Sequence, residues 1–234
     1  MTSPQDSALF HRVILFSEPF ALPLLTKKDS LALGLHFASL LSCQNDTLAC
    51  LRSKAPSEIA TATKESENFE INNEKELLRF QVWGPTVEEQ PVRLFEVGLF
   101  QSKPIMLGSL TEEARLYVNG LFDKPVPSLL YTLFLTILVP EKGNIIMQQY
   151  PADNSNSDQR DLISQIATDY IFECPVLHVA KEIFERGQDD VYHYVFDQAV
   201  SEDDVWDMYS WCNHHTCHGG DIPFFFGTAS LAGV

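Results

Sequence analysis

Three short runs of almost unbroken apolar residues, Val13-Ile14-Leu15-Phe16, Pro104-Ile105-Met106-Leu107-Gly108 and Val191-Tyr192-His193-Tyr194-Val195-Phe196, lie far apart with helical patterns between them. Runs of this length suit strands covered on both faces, and strands joined by long helical connections pair parallel because no tight hairpin joins them. The arrangement predicts an α/β fold: mostly parallel strands with long helical insertions. Ligands in such folds bind beyond the carboxyl ends of the strands, which puts Ser17, Glu113 and His218 near one edge.

Between the strands, residues 29–41 carry Leu31, Leu35, Ala38 and Leu41 at helical spacing, with Asp29 or Ser30 as cap. Residues 47–51 and 57–63 read as shorter helices, the second entered through Pro56. Residues 64–75 are charged and polar and read as an exposed insertion, and 80–94 as irregular chain with short extended pieces. Helical pattern resumes after the second strand and runs to Leu138. Residues 153–158 form a polar linker, 159–170 a helix, and 175–186 another that Gly187 stops. The most apolar stretch, 129–139, is shorter than the roughly 20 residues needed to span a bilayer and reads as a buried helix.

Sixteen basic residues stand against 32 acidic ones, a formal net charge of -16. Such a field repels phosphate backbones and anionic lipid, which argues against nucleic-acid and membrane-surface partners. The first twenty residues lack the basic head, apolar middle and small-residue cleavage site of a secretory signal. Five cysteines leave one unpaired if disulfides form. Cys43 and Cys50 bracket a polar segment holding the glycosylation sequon Asn45-Asp46-Thr47, and Cys212 and Cys217 flank a small loop next to His218.

The densest chemistry lies in His218-Gly219-Gly220-Asp221 and the phenylalanines that follow. A serine-hydrolase reading makes His218 the general base and Glu113 the acid that orients it. The competing reading leaves Glu112 and Glu113 as two solvated carboxylates at a helix start. The nucleophile is missing: no G-x-S-x-G occurs, and Ser17 is flanked by Phe16 and Glu18 where a nucleophile elbow needs small neighbours. A zinc reading would use Cys212, His214, His215, Cys217 and His218, but all five sit in one stretch without the second ligand cluster that structural zinc sites use. The chain therefore calls for no metal and no cofactor.

Taken in order, these segments resemble the type B carboxylesterases, the cholinesterase-like branch of the α/β-hydrolases. The blocks that carry the resemblance are 9–17; Cys43 through Cys50 with Leu51-Arg52; Trp83-Gly84-Pro85; Pro104 to Gly108 followed by Thr111-Glu112-Glu113-Ala114; Cys174-Pro175; and His218 to Gly227. The resemblance covers nearly all of residues 1–234 as one partial carboxylesterase domain, incomplete at both ends. It implies that Glu113 is the triad acid, His218 the triad base and Asp221 a supporting carboxylate, and that the serine lies upstream of residue 1. It also implies disulfides Cys43–Cys50 and Cys212–Cys217, a secretory location, and a small carboxylic ester as substrate. Ala114 stands where the family has glycine. The isolated chain is then expected to be inactive and to expose apolar sheet edge. A catalytically silent relative used in adhesion or structural assembly is the alternative.

Overall fold

The computed structural model describes residues 1–3, 8–45, 47–66, 69, 83–138, 142–153, 157–187, 190–201 and 205–232. Its secondary structure begins with strand β1 (Val13–Phe16) and then enters one of two compact units, formed mainly by residues 22–99. There β2 (Leu25–Thr26) leads into α1 (Lys27–Leu40), followed by α2 (Thr47–Ser53), α3 (Pro56–Ser66), β3 (Thr86–Val87) and α4 (Pro91–Glu96). Thr26, not Asp29 or Ser30, caps α1: its hydroxyl accepts from the Asp29 N–H at 3.2 Å and donates to the Asp29 carboxylate at 2.7 Å. The cap lies three to four residues earlier than hydrophobic periodicity suggests, because the Thr26 hydroxyl takes up the first-turn Asp29 N–H.

The core of this unit joins Phe37, Ala38, Leu41, Cys43 and Ala62, with Cys50 packed against it and disulfide-bonded to Cys43. Residues 64–66, expected in an exposed insertion, instead finish α3, and Ser66 is buried with its hydroxyl on the Ala62 carbonyl. Of the remainder of that expected insertion, only Phe69 is described; it packs on Leu25 and Leu33 and stacks on His36. Residues 80–82 of the expected irregular stretch lie outside the described residues, and α4, begun by Pro91, was not expected from the pattern.

The other unit, mainly residues 3–21 and 100–234, holds the sheet. Here β4 (Ile105–Leu110) is the middle strand and pairs parallel with β1 on one side; its other partner is β5 (Val191–Phe196), also parallel. Between β4 and β5 come α5 (Arg115–Leu121), α6 (Ser128–Leu138), α7 (Gly143–Gln149), α8 (Arg160–Thr168), one π-helical turn (Asp169–Glu173) and α9 (Cys174–Arg186). A short 3-10 turn (Ser210–Cys212), α10 (Ile222–Phe225) and α11 (Ala229–Ala232) follow β5. All three expected strands exist and run parallel, yet only β4 is buried on both faces. On β1, Ile14 is half exposed, and so is Tyr192 on β5, since each of these strands pairs on one side only among the described residues.

The apolar stretch expected as a buried helix is helical but lies on the surface. On α6 Tyr131 and Leu135 enter a core with Val118, Val126 and Ile163, while Leu129 is 81% exposed and Leu130 and Leu133 are also open. A helix buries a stripe, and among the described residues one stripe of α6 has a core neighbour. Among the described residues no helix is long and apolar enough to cross a membrane.

Candidate active site

The site is built where β4 ends. The chain turns at Thr111 to Ala114, and Glu113 folds back so that one carboxylate oxygen accepts the Leu110 N–H at 2.8 Å. The Glu113 side chain is fully buried. The Ala114 N–H donates to the Thr168 hydroxyl of α8 at 3.0 Å, which ties the turn to the helix behind it. Ala114 itself has φ −79° and ψ −6°, a conformation open to any L residue, so the turn does not require glycine there.

The second half of the site is the loop after the 3-10 turn, closed by the Cys212–Cys217 disulfide. His218 leaves this loop and brings Nδ1 to 2.6 Å from the other Glu113 oxygen. An ionised carboxylate only accepts, so Nδ1 carries the hydrogen and Nε2 is the free basic nitrogen. Gly219 follows at φ +84°, in the left-handed region that glycine occupies without strain. That turn lets the Gly220 N–H reach the Cys217 carbonyl at 2.9 Å and fixes the imidazole at the mouth of the sheet. Phe172, from the π-helical turn, and Tyr117, from α5, lie with ring centroids 5.4 and 5.5 Å from the imidazole. Phe172 does not stand out in the sequence, because a π-helical turn breaks the periodicity that would have aligned it with α8.

Asp221 is buried, and one of its oxygens lies 3.3 Å from the Tyr194 hydroxyl. Burial pushes its carboxyl above the ordinary range; the nearby Glu113 charge adds to this, while the Tyr194 hydroxyl and His218 oppose it. A raised folded-state value means that the folded protein holds this proton more tightly than the unfolded chain. The associated stability is therefore complete in acid, below the unfolded value of about 4, and is lost as pH rises through the folded value. Asp221→Asn removes this titration. Relative to wild type it should gain stability as pH rises from acid toward neutrality, measured as denaturation midpoints across that range.

Ser17 and the cysteine–histidine stretch resolve differently. Ser17 sits at the end of β1 with φ +52°, and its buried hydroxyl makes no hydrogen bond to the described residues, so it is not paired with His218. Cys212 and Cys217 are bonded to each other, and among the described residues no group of three or more His, Cys, Asp or Glu is placed to hold a metal. Glu112 stays partly exposed but has partners: it accepts from Thr216 N–H at 3.0 Å and lies 2.9 Å from Nδ1 of His215. Two adjacent acids thus meet two histidines three residues apart.

The carboxylesterase family model matches residues 1–233. The chain belongs to the carboxylesterase family. Among curated relatives, Crystal protein of Dictyostelium discoideum is 29% identical over 99% of this chain and 42% of its own length. Acylcarnitine hydrolase of Rattus norvegicus is 25% identical over 97% of this chain and 41% of its own length. Among solved structures, PNB esterase superposes with a TM-score of 0.65 at 18% identity, over 97% of this chain and 45% of that one. This likeness shows the α/β-hydrolase fold. The chain thus spans less than half the length of these relatives.

Proposed function

We propose that these residues supply the base and acid of a Ser–Glu–His triad for carboxylic ester hydrolysis, with a serine contributed by a segment outside residues 1–234. The observation that carries this reading is the 2.6 Å contact between His218 Nδ1 and Glu113, whose side chain is fully buried and held by the Leu110 N–H. In this mechanism His218 Nε2 takes the proton of the attacking serine and returns it to the leaving alcohol, while Glu113 holds the productive tautomer and stabilises the imidazolium. Asp221, buried and within reach of the Tyr194 hydroxyl, is a supporting carboxylate. The substrate is a small carboxylic ester, and no cofactor takes part. Among the described residues no nucleophile is paired with His218, and residues 1–234 alone should be inactive.

A fluorophosphonate, which phosphonylates an activated serine, tests the proposal. The 234-residue chain should stay unlabelled, and the chain joined to the serine-bearing segment should label in a manner abolished by His218→Ala. Labelling of the 234-residue chain by itself overturns the proposal. A second reading, a catalytically silent relative used in assembly, draws on Crystal protein, whose name states no hydrolysis. A residue other than serine at the elbow, with no labelling of the joined chain, decides for that reading.

A secretory location forms part of the proposal and is supported by the two disulfides. Asn45 is exposed between Cys43 and Cys50, although Asp46 of its sequon lies outside the described residues. Protein from secreting eukaryotic cells should shift down on a gel after amidase deglycosylation, and Asn45→Gln should remove the part of that shift owed to this sequon.

A further inference from the structure

We infer that Glu112 and His215 form a clamp that positions His218, a second carboxylate–imidazole pair on the same turn and the same loop as the first. Adjacent residues on the turn grip residues three apart on the loop: Glu113 meets His218 at 2.6 Å and Glu112 meets His215 at 2.9 Å. The two Glu112 oxygens are equidistant from His215 Nδ1, and one also accepts the Thr216 N–H at 3.0 Å, so the carboxylate holds loop backbone as well as side chain. Arg115 braces the same carboxylate at 3.4 Å, donates through Nε to the Trp211 carbonyl at 2.8 Å, and is itself anchored on Asp161 at 2.8 Å. Trp211 returns a hydrogen bond from its indole N–H to the Leu116 carbonyl at 3.3 Å.

Both ends of the loop, Trp211 and Thr216, are therefore fastened to the segment that carries Glu113, and the Cys212–Cys217 disulfide closes the loop between them. His214 at φ +61° shows how tightly the chain is folded there. His218 is the second residue after Thr216, so the clamp fixes the distance across which the imidazole meets its acid. A misplacement of about 1 Å in a catalytic group can lower turnover about a hundredfold. Glu112 and His215 act through His218 and are positioning residues.

The inference rests on the triad reading for its kinetic consequence but has a readout of its own. In the active protein, Glu112→Gln and His215→Phe should each lower kcat about tenfold to a hundredfold with KM unchanged. The double variant should be no worse than the more impaired single variant, because the one contact that His215→Phe removes is made to Glu112, which Glu112→Gln already disrupts. His215→Asn keeps an N–H donor toward Glu112 and should restore most of the lost rate, which general destabilisation of the loop would not allow. Independently of any hydrolysis, the His218 Nδ1–H proton observed by NMR should exchange with solvent faster in Glu112→Gln than in wild type. If the wild-type protein hydrolyses no ester, the triad reading fails and the exchange measurement alone decides the clamp. An unchanged His218 proton in both Glu112→Gln and His215→Phe overturns it.

Discussion

Replacing Glu113 with glutamine should lower ester hydrolysis by the active protein about four orders of magnitude while leaving substrate affinity nearly intact. The carboxylate is fully buried, with one oxygen committed to the Leu110 N–H and the other to His218 Nδ1. Glutamine offers only one acceptor oxygen, so it cannot serve both donors. If its oxygen stays with Leu110, its amide N–H faces His218 and turns the imidazole into an acceptor at Nδ1. Nε2 is then protonated and cannot take the serine proton. If the amide flips, the Leu110 N–H is left facing a donor inside the protein, at about 1–3 kcal/mol of stability. Single-turnover kinetics with an activated ester distinguishes the loss of the chemical step from a loss of binding. Activity within tenfold of wild type would remove Glu113 from the role of orienting acid.

The same residues explain what could be read ahead of the structure. The parallel sheet was legible because β4 is a middle strand, and a middle strand must be apolar on both faces; Ile105, Leu107 and Leu110 record that directly. The edge strands β1 and β5 have the same apolar content, so their exposure could not be read from composition. It depends on which strands pair with them. Glu113 and His218 were legible because the motifs around them resemble a family in which such residues meet. The Glu112–His215 pair was overlooked because a two-residue acid run ahead of a helix has an ordinary explanation in the helix dipole, and only the folded loop brings His215 within 2.9 Å of it. Thr168 and Tyr194 were passed over for a related reason: a single hydroxyl carries no pattern, and its partner is fixed by packing.

Gly108 carries the second large effect, and it concerns stability. It stands opposite Phe16 of β1 and Tyr194 of β5, and its carbonyl accepts the Ser17 N–H at 2.9 Å where β1 ends. The Tyr194 ring occupies the space above it, against Phe225 of α10, with its hydroxyl near Asp221. A methyl group on Gly108 would collide with the Tyr194 carbonyl oxygen and lie 2.6 Å from two carbons of the ring. A ring can turn aside, but a carbonyl in a paired strand moves only if the strand moves. Gly108→Ala should therefore destabilise the fold by at least the roughly 1–3 kcal/mol of ordinary overpacking. Tyr194→Ala in the same chain relieves the ring contact and leaves the carbonyl contact, so the double variant should recover only part of the loss. Chemical denaturation of the four proteins measures this cycle. Full recovery would mean that the ring alone limits the space at Gly108, and a cost under about 0.5 kcal/mol for Gly108→Ala would mean that β4 and β5 are not packed this closely where the Glu113 turn begins.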